Sequence, residues 1–485
     1  MTLQSVLDDI RERPGTGDVI PVIDPSTEEQ ITEFTDGGGE AVNEAVARGK
    51  AAFESGVWHE QPARERAKVL WKIADLMDAH ADEFAELDSL NTGMPLAQAK
   101  MILPTSAEFF RYYAGWCTKT NGSAYEVQMS GGVSGNYANM HAYTLKEPHS
   151  VVGLIFPWNG PIFNACAKIA PALAAGCSSV IKPAEETPLS AVLLDRLIRE
   201  AGVPDGVANL VTGYGHTAGA ALTTHPDVEK IAFTGSTEVG KKIVEASTGN
   251  LKKVMLELGG KSPVLIFDDA DLDMAIFMAA MGIFVHSGQG CVCGSRIFVQ
   301  RGVYDRVVEG LATVANNFKL GSPKEEGCMS GPLISAKQLK RVMGYIDEGK
   351  ADGVEVVTGG YRLDRPGYFV HPTVLAGVDP ATSRLYQEEI FGPVVTVLPF
   401  DTEEEAAALA NDTSYGLAAT AWTTNLSRAH RIAKKLQAGT VTLNSQLNFD
   451  HNVPFGGYKQ SGWGHEFGRE GIEAYLKTKS VWAQL

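Results

Sequence analysis

A chain of 485 residues, 44% hydrophobic and 21% charged, has the composition of a globular protein of about three domain-sized units. It is long enough to bury a large core, so it needs no metal or disulfide staple. A formal net charge of −16 excludes nucleic acid or an anionic membrane surface as a partner held by charge.

The cysteines (117, 166, 177, 291, 293 and 328) lack the spacing of a disulfide scaffold, and no Cys/His cluster has zinc spacing, so no metal is expected. The opening MTLQSVLDDIRERPGTGD has neither a basic start nor an apolar core, and Lys168 and Pro171 interrupt the longest apolar stretch. The expectation is a cytoplasmic, reduced setting without a membrane partner.

In chain order, helical spacing covers residues 40–53 and 63–90, stopped by Asn91-Thr-Gly93, with a third helix at 95–116. Residues 123–145, including Tyr137-Ala-Asn-Met-His-Ala-Tyr-Thr-Leu, alternate as a two-stranded ribbon with little hydrophobic content. Such a ribbon is marginal alone and is expected to lean on another subunit. From Ser150 short apolar strands alternate with helices. The strands are 151–156, 179–182, 208–211, 231–234 and 254–258; the helices are 161–175, 189–201, 218–224 and 236–246. This alternation predicts an α/β fold with a Rossmann-like parallel sheet. A second alternation follows (strand 264–267, helix 272–285, strand 296–299, helix 304–318) and continues to a strand at 440–444. The boundary is placed near 257–261. The division expected is 1–122 with 146–256, then 257–455, with 123–145 and 468–485 as an arm whose last strand pairs with the ribbon.

Candidate chemistry centres on Gly288-Gln-Gly-Cys291, where small residues let a substrate approach one thiol. By itself Cys291 fits a buried core thiol equally well. Cys293 makes a Cys-x-Cys pair with it. Glu257 ends an apolar strand, where a carboxylate has a raised pKa and can take a proton from water; a satisfied or ion-paired glutamate is the blander alternative. Asn159, in Trp158-Asn-Gly-Pro, could donate to an oxyanion or simply make the turn. Phe233-Thr-Gly-Ser-Thr-Glu-Val-Gly240 joins a strand to a helix start suited to a pyrophosphate, or is an ordinary serine cap. The loop around Gly213 and Gly215 is only loosely glycine-rich. Lys182-Pro-Ala-Glu185 ends a strand where a ribose could lie, or is a surface ion pair. A carboxylate there repels a 2′-phosphate, which favours NAD over NADP.

Taken together, Phe156-Pro-Trp-Asn-Gly, Lys182-Pro-Ala-Glu, Phe233-Thr-Gly-Ser-Thr, Leu256-Glu-Leu-Gly-Gly-Lys-Ser-Pro, Gly288-Gln-Gly-Cys, Glu388-Glu-Ile-Phe-Gly-Pro and Pro454-Phe-Gly-Gly-Tyr-Lys-Gln-Ser-Gly occur in the order of the aldehyde dehydrogenase superfamily, which the chain resembles over nearly its whole length. The resemblance implies that Cys291 attacks an aldehyde, that Asn159 and the Cys291 N–H hold the oxyanion, and that Glu257 activates the water that cleaves a thioester. It implies an NAD site built from Phe156, Trp158, Lys182, Glu185, Gly215, Gly235, Ser236, Leu258, Glu389 and Phe391. It further implies a homo-oligomer, dimer or tetramer, joined through the arm.

Gly160, Ala167 and Val285 stand where many relatives carry aromatic tunnel residues, leaving Phe163, Phe449 and Phe455 as walls. A roomy tunnel for a bulky, apolar or aromatic aldehyde is expected. His286-Ser287, Cys293 and His465 are further departures. Two rivals remain: a CoA-acylating relative, which generally lacks the Glu257 base, and a catalytically silent protein on the same fold.

Overall fold

The computed structural model describes residues 3–127, 140–446 and 448–484. Two sheets organise it. The first has six strands in the order Gly462–Trp463, Lys253–Glu257, Lys230–Thr234, Val151–Phe156, Ser178–Pro183, Ala208–Leu210. The last five run parallel, and Gly462–Trp463 adds antiparallel beside Glu257. Strands such as Val151–Phe156 and Ser178–Pro183 are buried at every position, as apolar runs covered on both faces must be. One face packs on helices Pro161–Ala175 and Leu189–Ala201, the other on Gly38–Glu54 and Thr237–Ser247.

The second sheet has seven strands in the order Glu355–Thr358, Thr373–Ala376, Val394–Phe400, Arg296–Gln300, Pro263–Ile266, Ala418–Trp422, Thr440–Leu443. All pair in parallel except the edge pair Glu355–Thr358 and Thr373–Ala376. Its two faces form separate apolar clusters. A three-stranded sheet pairs Leu476–Gln484 with Met140–Pro148 along nine residues, and Met140–Pro148 with Ala124–Tyr125. The α/β class, the second α/β unit and the β-ribbon arm are therefore present. The ribbon leans first on the chain's own last strand. Part of its expected alternation, residues 128–139, lies outside the described residues.

Several elements differ from expectation. The helix expected at 63–90 is two, Ala63–Ala79 and Ala81–Thr92, broken at His80 with φ −114° and ψ 26°. The helix expected to reach 285 ends at Phe284, because Val285 turns to ψ 143°. The first turn near 218 is a wide π turn at Gly215–Gly219. The helix Leu3–Glu12, the hairpin Val19–Ile23 with Gln30–Thr35, and the elements from Ala336 to Lys435 were not anticipated. No helix of the described residues is long and apolar enough to cross a membrane.

Candidate active site

The expected site residues collect at the carboxyl ends of the first sheet's strands, facing loops of the second unit. Cys291 follows a short kinked turn, Val285–Gly288. His286 and Ser287 there hold φ of 52° and 53°, a left-handed conformation rare outside glycine. Ser287 anchors the kink: its N–H donates to Ser330 Oγ (2.8 Å) and its hydroxyl to the Gly331 carbonyl (2.6 Å). The buried Gln289 accepts from the Ile334 N–H at 2.9 Å. Gly288 has φ +67°, and a Cβ there would meet the Gly392 carbonyl oxygen at 2.1 Å. At Gly260 a Cβ would lie 2.2 Å from the Cys291 carbonyl oxygen, so the Gly259-Gly260 pair lets the strand end pass against the turn that carries Cys291.

Asn159 reaches across from the first sheet, its Nδ2 donating to the Gln289 carbonyl at 2.9 Å. Its Oδ1 is buried without a partner among the described residues. Glu257 closes its strand, pairing with Thr234 on one side and Gly462 on the other. Its side chain is buried, and neither carboxylate oxygen has a hydrogen-bond partner among the described residues. Burial drives its pKa well above the carboxylate range, the charge of Glu466 adds to the rise, and Lys168 opposes it. Burial likewise pushes the Cys291 thiol well up, with the charges of Glu389, Glu257 and Cys293 adding. The thiol thus rests protonated at neutral pH. Cys293 is pushed up to about 12, chiefly by burial. Its sulfur packs with the second unit's core, whereas Cys291 packs with the first.

Lys168 and Glu466 form a buried ion pair that the sequence reading missed. The signal was present: a lysine inside an otherwise apolar helix must be paired.

The polar groups beyond the strand ends suit a dinucleotide. Buried Lys182 donates to the Pro183 carbonyl (2.7 Å) and lies 3.6 Å from Glu185, and burial lowers its pKa. Ser236 caps Thr237–Ser247, its Oγ accepting from the Val239 N–H at 3.3 Å, which leaves its own O–H to donate. Gly215 faces open space, and Gly235 has the Phe233 ring folded beneath it, a Cβ there falling 2.4 Å from the ring. Leu258 packs against Gly240. The Gly260 N–H donates to Glu389 Oε1 at 2.9 Å, and burial raises this carboxyl to about 7. Phe391, at φ 59°, meets Trp158 edge to face at 5.3 Å. The Phe156 ring is in the core, which leaves only its backbone for a ligand.

The expected wall residues converge. Phe163 lies 6.2 Å from Phe449 and Phe449 5.6 Å from Phe455. The same cluster holds Phe467, 5.5 Å from Phe455, and Phe109, 5.2 Å from Phe163, with His451 against Phe109 at 4.5 Å. These three were not anticipated. Gly160 begins the helix that carries Phe163; Ala167 is buried on that helix, and Val285 packs against the second unit's core.

Residues 12–481 match the Aldehyde dehydrogenase family. An aldehyde dehydrogenase of Emericella nidulans is 45% identical over 466 residues, 96% of this chain and 92% of that protein. The mitochondrial benzaldehyde dehydrogenase of Antirrhinum majus is 44% identical over 468 residues, 96% of this chain and 86% of that protein. Among solved structures, betaine aldehyde dehydrogenase from Staphylococcus aureus in complex with NAD+ superposes with a TM-score of 0.95 at 37% identity, covering 99% of this chain and 97% of that one. An aldehyde dehydrogenase from Bacillus cereus, solved as a point mutant, superposes equally well, TM-score 0.95, at 43% identity over 99% and 98% of the two chains. The chain belongs to the aldehyde dehydrogenase family.

Proposed function

We propose that this aldehyde dehydrogenase, with NAD as its cofactor, oxidises a bulky apolar or aromatic aldehyde to the acid through an acyl group on Cys291. The observation that carries the reading is Glu257, a buried carboxyl with a raised pKa whose two oxygens have no hydrogen-bond partner among the described residues and whose charge, when ionised, acts on the Cys291 thiol. Cys291 Sγ adds to the aldehyde carbon after releasing its proton to solvent. The second N–H of Asn159 and the Cys291 N–H hold the oxygen that becomes negative. The bound nicotinamide supplies the hydride acceptor. Lys182 and Glu185 would hold one ribose, Glu389 the other, and Ser236 with the start of Thr237–Ser247 the pyrophosphate, with Trp158 and Phe391 beside the ring. Glu257 then takes a proton from water as its oxygen attacks the thioester, and Cys291 leaves as a thiolate that recovers its proton from solvent. The Lys168–Glu466 pair is the next station for that proton.

In this reading the six-stranded unit binds the cofactor and the seven-stranded unit brings the thiol. The exposed Phe449 and the half-buried Phe163, backed by the buried rings of Phe109, Phe455 and Phe467, support an aromatic substrate, as does the name of the benzaldehyde dehydrogenase relative. The arm's exposed Tyr125, Leu145 and Trp482 support a homo-oligomer, and six free cysteines support a reducing cytoplasm. The test is NADH formation from benzaldehyde and NAD with no CoA present, with benzoate as product. A rate that appears only when CoA is added would replace this reading by acyl transfer to CoA.

A further inference from the structure

A groove of about 410 Å³ runs along one face of helix Ala336–Ala351. Lys337, Lys340, Arg341 and Gly344 fall at the spacing of a single helix face, and Arg384 is in the wall with them. A Cβ on Gly344 would meet nothing within 4 Å, which keeps the floor open. Against these cations stand two carboxylates, Glu348 and Glu388, and both are bound to Arg384. Lys337 and Lys340 are exposed and make no hydrogen bond or ion pair among the described residues. Arg341 is exposed too, and its hydrogen bonds go to the Glu389 and Ile390 carbonyls and the Tyr345 hydroxyl, none of them a carboxylate. In a chain of net charge −16 the groove holds a local surplus of positive charge.

The groove opens beside the cofactor cleft. Its helix is tied to the segment that carries Glu389, since Arg341 donates to the Glu389 carbonyl and Gln338 to the Phe391 carbonyl at 2.7 Å. On the other side of the cleft, the charge of Lys337 acts on Glu186 and on Glu238. Glu186 follows Glu185, and Glu238 sits in the first turn of Thr237–Ser247, just past Ser236. The helix therefore overlooks, from the second unit, the positions assigned above to both riboses and the pyrophosphate. Glu185, Glu186, Glu238 and Glu389 ring those positions, and their ionised members repel an anionic cofactor on its approach.

We propose that the groove of Lys337, Lys340 and Arg341 is an electrostatic landing site that draws the pyrophosphate of NAD to the cleft, setting the rate of cofactor capture rather than the strength of its final hold. The inference rests on the cofactor placement proposed above. A cationic strip beside a cleft raises the local concentration of an anion and with it the association rate, and salt screens the effect. Lysines suit the task, because an ammonium on a flexible stem attracts a moving phosphate without fixing its orientation. Lys337 and Lys340 are steering groups and take no part in the chemistry.

The experiment uses the full chain and NAD, with binding followed by stopped-flow quenching of protein fluorescence at about 10 mM and about 500 mM salt. Lys337→Glu with Lys340→Glu is expected to lower kon roughly tenfold at the low salt and less than about twofold at the high salt, with koff within about twofold of the parent. Lys68→Glu with Lys72→Glu makes the same change in net charge on the outer helix Ala63–Ala79 and is expected to leave kon near the parent value. An unchanged kon at low salt overturns the proposal, whether or not koff rises. A loss that persists at high salt also overturns it, as does one that the Lys68 and Lys72 pair reproduces. Glu389→Gln is expected to raise koff with kon close to the parent. If it changes neither rate, the cofactor placement fails, and the steering result is read separately from the lysine variants.

Discussion

The Asn159 amide donates to the Gln289 carbonyl at 2.9 Å, so the turn after one sheet's strand holds the turn that carries Cys291 two residues on. The bond ties the two halves of the site together, and in the proposed mechanism the amide's second N–H is the one that holds the oxyanion. Asn159→Asp replaces both donors with acceptors. Steady-state kinetics are expected to show kcat down by about 10²–10³, with KM for the aldehyde changed far less.

Glu257→Gln keeps the shape of the buried carboxyl and removes the base. Stopped-flow absorbance is expected to show one equivalent of NADH formed in a burst, then a turnover at least about 100-fold slower than the parent. Loss of the burst itself would place Glu257 in thiol activation instead.

Cofactor affinity is expected to follow Glu389. Burial raises this carboxyl to about 7, and in the proposed site only its ionised form would accept from both ribose hydroxyls. As pH rises from 6 to 8 the ionised fraction grows about tenfold, so KM for NAD should fall by a similar factor. Glu389→Gln should give a high KM that is flat over the same range.

Stability has its own titration at Asp88. The buried carboxyl is raised from 3.8 to about 7 by burial, with Ser190 opposing. Its folded pKa exceeds the unfolded one, so the stability it contributes is complete below about pH 4 and is lost as pH rises through about 7. At most this amounts to about 4 kcal/mol. Asp88→Asn should narrow the difference in urea midpoint between pH 5.5 and pH 8.5. Equal pH dependence in the two proteins would contradict the assignment.

The buried ion pair is testable by breaking it. Lys168→Met alone leaves Glu466 charged and unpaired, a loss of about 3–5 kcal/mol in urea unfolding. Lys168→Met with Glu466→Gln should recover most of that loss, while acyl-enzyme decay stays slow.

Much of this was legible in the chain. Val151–Phe156, Ser178–Pro183, Lys230–Thr234 and Lys253–Glu257 are apolar runs separated by helical spacing, so local pattern alone gave the first sheet and put Glu257 at a strand end. The stretch from 319 to 439 was harder. Its edge strands Glu355–Thr358 and Thr373–Ala376 have only four residues each, and the segment between them is rich in Gly and Pro, with no period to follow. The break at His80 falls inside one continuous helical spacing, so sequence periodicity passes straight through it. Partnerships across the chain were also hidden. Lys168 and Glu466 are 298 positions apart, and Phe467 reaches Phe163 and Phe455 only through the fold. Local pattern showed that Lys168 was out of place and could not name what satisfied it.

The most direct measurement is intact and peptide mass spectrometry of the enzyme quenched during turnover of benzaldehyde with NAD. A benzoyl mass added on the peptide containing Cys291, absent from Cys291→Ala, is the expected result. An unmodified Cys291 peptide, with the acyl group on another residue or on none while NADH accumulates, would contradict the account.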